Sequence, residues 1–550
     1  MGKLSIQELS IYSSLSQRVQ EYINGEINYS DLKHTTALFG IYKQRGNKFM
    51  ARIRVTGGEI SLKQLFALSQ IAEKYSVSFL HLTSRQGIQL HGIDVKNIIP
   101  IVTECAEYDM PFRGGGGNTF RNVAVCYHSG LIEDSIFDVL PYAKQLTSYV
   151  LSYNKAFDDL PRKIKFGFSC CEKDTGLAKL QDLGFIAKIQ NRIEGFVVYG
   201  GGGMGNQSAV GIELIDFISA DEVAKCAIAM IDLFYDHGDR SNRSKARIRF
   251  ILKKYGDKKF KKLFLSYLKK VDLIENVSTT QVYSPKPETT LYNCSEIHSS
   301  IELSSTELSR YNEWKLHAIF NTQLDNIVLV KLFVSHGNLS IADLKKMIKI
   351  MSEVKVHFIR LSRGQNIYIP IKNSDVKYVF KQLNNYRQTT DFTGASLRGL
   401  LTSCIGAKTC AIGIVDTPKF SDSIAKELDV FFMNYPEFKT DFLKNIINSI
   451  KISGCQNSCS NHPAVTLGFQ GIRRKNKEGT PTDYCKVFIG GQPDKLNESI
   501  DGLLLDSKQI GKYVYDLVKK YYEMKIANRE ICFNDMVKEI SRTPLISNTT

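Results

Sequence analysis

Hydrophobic and polar positions alternate with a period of two in FMARIRV, from Phe49, and again in FLHLTSRQGIQLHGI, from Phe79. Such alternation predicts half-buried strands. Between them, SLKQLFALSQIAEKY spaces its apolar residues three and four apart, the period of an amphipathic helix. The same order returns later in the chain: IVLVKLFV from Ile327, SIADLKKMIKIMSEV from Ser340, and FIRLSRGQNIYIPI from Phe358. Gln86 falls on Gln365 and Ile88 on Ile367, both displaced by 279 residues, and Val55-TGGEIS falls on Val334-SHGNLS at that same offset. Matches at one offset predict a duplicated strand, helix and strand unit. A larger segment follows each copy. The chain therefore reads as two halves, each a small α+β module joined to a bigger α/β module. A pseudo-twofold chain of this kind tends to hold a cofactor at its seam.

The boundaries follow from these patterns. Residues 1–40 form an N-terminal arm that embraces the other parts. The first small module spans 41–125 and the first large one 126–280. The stretch VSTTQVYSPKPETT, from Val277, is rich in Pro, Ser and Thr and reads as a linker, taken as 281–299. The second small module spans 300–385 and the last large one 386–550.

Composition sets the class. Of 550 residues, 43% are hydrophobic and 23% charged, which is ordinary for a globular protein. No stretch approaches a membrane-spanning run, and MGKLSIQELS offers no apolar signal core. A cytoplasmic protein that binds no membrane is expected. The net charge of +16 favours anionic partners. No nucleic-acid motif is recognisable, so nucleic acid is not expected among them. The basic run RSNRSKARIRFILKK, Arg240 to Lys254, fits a solvated helix face about as well as an anion site.

Candidate chemistry concentrates near the C-terminus. Cys404-x5-Cys410 and Cys455-x3-Cys459 form two tight pairs. Four thiolates make a soft ligand set, suited to an iron–sulfur cluster or a zinc ion. Zinc modules usually use C-x2-C knuckles, and neither pair has that spacing. Buried, unliganded thiols are the plain alternative. The other eight cysteines are scattered, as in a reducing compartment. Arg52 and Arg54 alternate with apolar residues and would share a strand face. Arg121 follows the run Gly114 to Gly117, which permits close backbone approach or forms a flexible loop. LPRKIK places Lys163 and Lys165 on one face of a short strand. With Arg52 and Arg121 they could build a positive pocket for a small oxyanion. VVYGGGGMG satisfies G-x-G-x-x-G at Gly200, Gly202 and Gly205, but no clear helix follows, so a dinucleotide site is not expected. FIGGQPD, around Gly490 and Gly491, holds a comparable place in the last module. His91 suits a buried strand position, and His462 lies close enough to Cys459 in sequence to support a ligand without being one.

Taken together, FMARIRVTGG, LTSRQGIQLHG, RNV, LPRKIK and the paired cysteines resemble, in order, the sirohaem- and iron–sulfur-containing sulfite and nitrite reductase family. The resemblance runs from about Phe39 to Gly491. It implies two ferredoxin-like half-domains and two larger sirohaem and cluster domains. It implies a [4Fe–4S] cluster on Cys404, Cys410, Cys455 and Cys459, with Cys459 bridging to the sirohaem iron. It implies that Arg52, Arg121, Lys163 and Lys165 bind the substrate anion and supply or orient protons. Arg85, Gln89, His91 and Asn118 would line the sirohaem pocket. Electrons would come from a separate donor, an acidic ferredoxin or a flavoprotein subunit, because the chain has no cysteine set for a built-in ferredoxin and no flavin domain.

Sulfite and nitrite reductases share this scaffold. Lys165 stands where sulfite reductases tend to carry Lys and plant-type nitrite reductases Asn. A second ammonium suits dianionic sulfite, so six-electron reduction of sulfite to sulfide is expected, with nitrite reduction to ammonium the alternative. A related cobalamin-pathway monooxygenase and a cluster-bearing redox sensor are the rivals from other classes. Two departures from the family stand out: Gln456 replaces a common Pro, and the four-glycine run precedes Asn118.

Overall fold

In a computed structural model, residues 6–157, 159–272, 301–385, 391–476, 478–527 and 530–541 are described. The linker expected around Val277 lies outside these residues. The fold is α+β and duplicated. In the first small module the strands are β1 (Tyr42–Lys43), β2 (Phe49–Ile53), β3 (Glu59–Ser61), β4 (Phe79–Leu82) and β5 (Ile88–Ile93). The first large module carries β6 (Phe166–Ser169), β7 (Leu183–Gln190), β8 (Ile193–Gly200) and β9 (Ile212–Ser219). The second small module carries β10 (Ile319–Asn321), β11 (Ile327–Leu332), β12 (Asn338–Leu339), β13 (Phe358–Leu361) and β14 (Ile367–Lys372). The last module carries β15 (Thr402–Ser403), β16 (Ile450–Ser453), β17 (Leu467–Lys475), β18 (Pro481–Ile489) and β19 (Glu498–Leu505).

The two small modules trade strands. One sheet runs β1-β2-β5-β4-β12 and the other β10-β11-β14-β13-β3. Thus β3, from the first copy, completes the sheet of the second, with Ile60 opposite Ile359. In return β12 completes the first, with Leu339 opposite Leu80. Sequence periodicity predicts a strand, helix and strand unit in each copy. It missed the exchange because pairing across hundreds of residues leaves no local signal. The duplicated glutamines tie this seam. Gln86 Nε2 donates to Leu361 O (2.7 Å), and Gln365 Nε2 donates to Leu82 O (3.0 Å). Both glutamines sit in the left-handed region, at φ of 63° and 62°. Glu59 on β3 pairs with the buried Arg360 on β13 at 2.7 Å.

The large modules share a plan too. β6 and β7 are parallel, then β8 and β9 run antiparallel. β15, β16 and β17 are parallel, then β18 and β19 run antiparallel. One hydrophobic core joins the arm, through Leu15, Val19 and Leu32, to both small modules and the last module. A second core fills the first large module, around Phe166, Phe168, Phe185 and Phe196. This arrangement brings the first half against the turn after β16, where the Ser84 hydroxyl bonds the Cys459 carbonyl. No helix among the described residues is long and apolar enough to cross a membrane.

Candidate functional site

The four C-terminal cysteines come together where β15 and β16 end in parallel. Cys404 follows β15, and its sulfur accepts the Gly454 N–H at 3.1 Å. Cys410 closes a turn on Gly406 O at 2.9 Å. Cys455 follows β16, and its sulfur lies 3.5 Å from the Asn457 amide nitrogen. Cys459 is exposed, and its carbonyl accepts the Ser84 hydroxyl from the first half. Gln456 leaves this turn intact, since Ser458 N–H still bonds Cys455 O at 3.4 Å. Burial, and then the like charge of Cys459, raise the Cys404 thiol to about 12. Burial and Cys459 also raise Cys410 and Cys455. Converging thiols bind a metal only as it displaces their protons.

The cationic residues converge on this corner from the first half. Arg52, on β2, donates to Gly115 O at 2.8 Å. Arg121 donates to the same carbonyl at 2.8 Å and to Gly117 O at 2.7 Å. The four-glycine run is therefore neither a loose loop nor an open ligand cradle. It packs against the arm and β2: a Cβ on Gly116 would lie 2.3 Å from Ala37 O, and one on Gly115 would lie 2.7 Å from Arg52 O. Its carbonyls hold the two arginines instead. Tyr42 accepts the Gly117 N–H at 2.8 Å. Burial opposes ionisation of this phenol, but the charge of Arg121, the Gly117 bond and Arg52 hold it below its ordinary range.

Lys163 and Lys165 flank Ile164, which bridges Phe120 as an isolated β-bridge; the short strand expected over LPRKIK begins only at Phe166. Burial drives the Lys163 ammonium far below its ordinary value, followed by Arg121 and Arg247, while Cys459 acts in the opposite sense. Burial does the same to Lys165, followed by Arg85 and Lys163. Lys163 thus feels both the arginines and the cysteine corner. Arg54 parts company with Arg52, because β2 ends at Ile53. It is buried, donates to Phe120 O at 2.9 Å, and is pushed down to about 9 by burial.

Arg85 donates to Gln181 Oε1 at 2.8 Å and to Asn122 O at 2.6 Å. With its amide oxygen facing Arg52, Gln89 accepts from Arg52 Nε at 3.0 Å and donates to His91 Nε2 at 3.0 Å. His91 stacks on Phe79, 4.7 Å between ring centres, and burial then His81 drive it down to about 2, so it stays neutral. Asn118 lies 3.4 Å from Arg162 Nη1. His462 is buried against Phe488, and burial brings it down to about 3.

Two residues near these cations escaped the sequence reading. The basic run from Arg240 supplies Arg247 and Arg249, which are 5% and 6% exposed and not on a solvated face. Arg247 bonds both carboxylate oxygens of Asp182, at 3.0 and 2.8 Å. Arg249 donates to Asn206 O at 2.5 Å. The glycine loop after β8 lies against them: a Cβ on Gly203 would sit 3.1 Å from Arg247 and 3.2 Å from Arg249. That loop leads to antiparallel β9 with no helix, so no dinucleotide fold is present there. Their signal in the sequence was the alternation of Arg247 and Arg249 with apolar residues. Several buried guanidinium nitrogens here have no acceptor: Arg85 Nε, Arg121 Nε, and Arg249 Nε and Nη1. Donors left over in a buried cleft suit a polyanionic occupant.

Comparison with known proteins agrees. Residues 42–108 match the nitrite/sulfite reductase ferredoxin-like half domain, and residues 116–271 match the nitrite and sulphite reductase 4Fe-4S domain. An assimilatory ferredoxin-dependent nitrite reductase of Haloferax mediterranei is 24% identical, over 82% of this chain and 76% of its own length. A sulfite reductase [NADPH] hemoprotein beta-component of Acidithiobacillus ferrooxidans is also 24% identical, over 94% of this chain and 89% of its own length. The solved structure of the Mycobacterium tuberculosis NirA protein superposes with a TM-score of 0.76 at 19% identity, covering 96% of each chain.

Proposed function

We propose that this chain, which belongs to the nitrite and sulfite reductase family of oxidoreductases, reduces sulfite to sulfide. The observation that carries the choice is Lys165, a second half-buried amine beside Lys163, with Arg85, Arg121 and Arg247 close by. Burial is the largest cause of both depressed pKa values, and repulsion among these cations comes next. An entering dianion relieves more of it than a monoanion does.

The family's cofactors fit the residues present. Cys404, Cys410, Cys455 and Cys459 would hold a [4Fe–4S] cluster, with Cys459, exposed toward the cations, shared with the iron of sirohaem. The acceptor-free nitrogens of Arg85, Arg121 and Arg249 suit the carboxylates of sirohaem. When bound, these groups supply electrons and an iron coordination position for the oxyanion. The chain's own residues do the rest. Arg52 and Arg121, fixed on the Gly115 carbonyl, orient the anion and offset its charge. Lys163 and Lys165, with depressed pKa values, give up protons readily to the leaving oxygens. Gln89 holds the Arg52 guanidinium in place against neutral His91. Ferredoxin-dependent and NADPH-dependent relatives both match, so electrons come from a separate donor protein, an acidic ferredoxin suiting the basic chain.

Anaerobic turnover with a reduced viologen dye tests the substrate, scoring sulfide from sulfite and ammonium from nitrite in parallel. A higher kcat/KM for sulfite is expected. A higher value for nitrite overturns the choice and leaves the family intact.

A further inference from the structure

A second set of metal-type donors lies in the first large module, far along the chain from the C-terminal cysteines. Cys126, His128, Cys170 and Cys171 are all buried, and their donor atoms all lie within 4.8 Å of one another. None of the thiols is in a disulfide. Cys170 Sγ and His128 Nδ1 are 3.6 Å apart, close to the separation of neighbouring ligands around one small tetrahedral ion.

The surroundings also suit an ion. The His128 Nε2 lies 3.0 Å from Thr175 Oγ1, which fixes the ring and leaves Nδ1 beside Cys170 Sγ. Thr175 lies 3.0 Å from Cys126 Sγ and 3.2 Å from Cys171 Sγ. The Cys170 backbone N–H donates to Cys126 Sγ at 3.3 Å, a bond that favours a thiolate. Three thiolates around a divalent ion leave one negative charge. The buried guanidinium of Arg363, bonded to Gly176 O at 3.1 Å, lies near enough to feel the Cys126 charge.

From this geometry we propose that Cys126, His128, Cys170 and Cys171 form a structural zinc site of Cys3His type. The donors are too tightly gathered to straddle a four-iron cube. Soft thiolates with one imidazole in a closed tetrahedron are the chemistry that zinc takes in structural sites. The ion would clamp the segment after β6 to the segment that follows Ala124, and so steady the strand lead-in that carries Lys163 and Lys165.

The test uses the full chain, purified anaerobically without chelator and equilibrated with stoichiometric zinc. Zinc content and the zinc K-edge X-ray absorption spectrum are read on it, both blind to iron. About one zinc per chain is expected, with three sulfurs at ~2.3 Å and one nitrogen at ~2.0 Å. Less than a tenth of an equivalent overturns the proposal. So does a shell of oxygen and nitrogen only, the mark of adventitious surface zinc, or a disulfide among the three thiols found by alkylation and mass spectrometry. The paired variant Cys170→Ser with His128→Ala should lose zinc while the iron content stands unchanged. Zinc retained in that variant also overturns it. Because the absorption spectrum needs no variant, the outcome stands even if the variant fails to fold.

Discussion

The two large modules build the same corner and equip it differently. In the first, Ala124 bridges Gly167 in parallel; in the second, Thr402 pairs with Lys451 in parallel. Counting onward from those matched pairs sets Cys126 against Cys404, Cys171 against Cys455, and Thr175 against Cys459. The turns agree as well. Asp174 and Ser458 have φ of 50° and 53°, and Leu177 and Asn461 have 53° and 62°. Yet the first corner is closed, with every donor buried, while the second leaves Cys459 exposed. One scaffold thus holds a tight set of donors suited to a single ion and a wider set suited to a cluster. The closing residue decides: a threonine hydroxyl bonds its neighbours, whereas a cysteine in its place faces the first half's cations. The halves divide the work, the first providing cations and the second thiolates.

Breaking the second corner should have the largest effect. Cys404→Ser should remove the cluster iron and bring turnover to background, while zinc stays at its wild-type level. Metal analysis of both elements reads this, and loss of zinc as well would mean that the corners are not independent. Next comes the cation that the first half sends across. Lys165→Asn should lower kcat/KM for sulfite by ~10²-fold, or ~2.7 kcal/mol, and for nitrite by less. Equal losses on both anions would remove the basis for choosing sulfite. In the first corner, Thr175→Val should weaken zinc binding by ~10-fold or more, because the outer partner of His128 is gone. Competition with a chelator on the full chain measures it, and an unchanged affinity would deny Thr175 its positioning role.

The seam between the halves gives the smallest effects. Glu59 is drawn below its usual range: burial opposes this, but Arg360 and Lys144 outweigh it. A depressed carboxylate contributes stability that is present above its unfolded pKa and lost as pH falls through the folded value. Buried, neutral His81, bonded to Asn338 at 2.7 Å, is lowered by burial to about 4 from an ordinary 6.5. Its contribution is likewise complete above 6.5 and lost as pH falls toward 4. Denaturation of the full chain should therefore become easier from pH 6.5 downward. Glu59→Gln should cost ~1–3 kcal/mol at pH 7, and that cost should shrink in acid. A cost independent of pH would show that the Glu59 charge is not what holds the swapped strand.

Much of this was legible in the chain. The offset shared by Gln86 and Gln365 revealed the duplication, because both halves need the same turn. The spacing of Cys404, Cys410, Cys455 and Cys459 marked the thiol corner, since two short turns bring each pair together locally. Arg52 stood out as charge among apolar neighbours, Arg121 by its place after the glycine run, and Lys163 and Lys165 as one face of LPRKIK. Other features were not legible. Arg247 and Arg249 lay in a run that fitted a solvated face and an anion site equally, and only the packing of the loop after β8 shows them buried. The glycines before Asn118 read as loose, and only the approach of Ala37 and Gly40 shows why no side chain fits there.

The sequence by itself determined periodicity, duplication and the types of donor available, because these depend on residues a few positions apart. The tertiary structure alone decided which donors meet. It exchanged β3 for β12 between the sheets, faced Cys459 toward Lys163, and drew Cys126 and His128 onto Cys170 and Cys171. Each of those contacts joins segments whose separation is set by strand register, and register is decided by burial of whole faces and not by any local pattern.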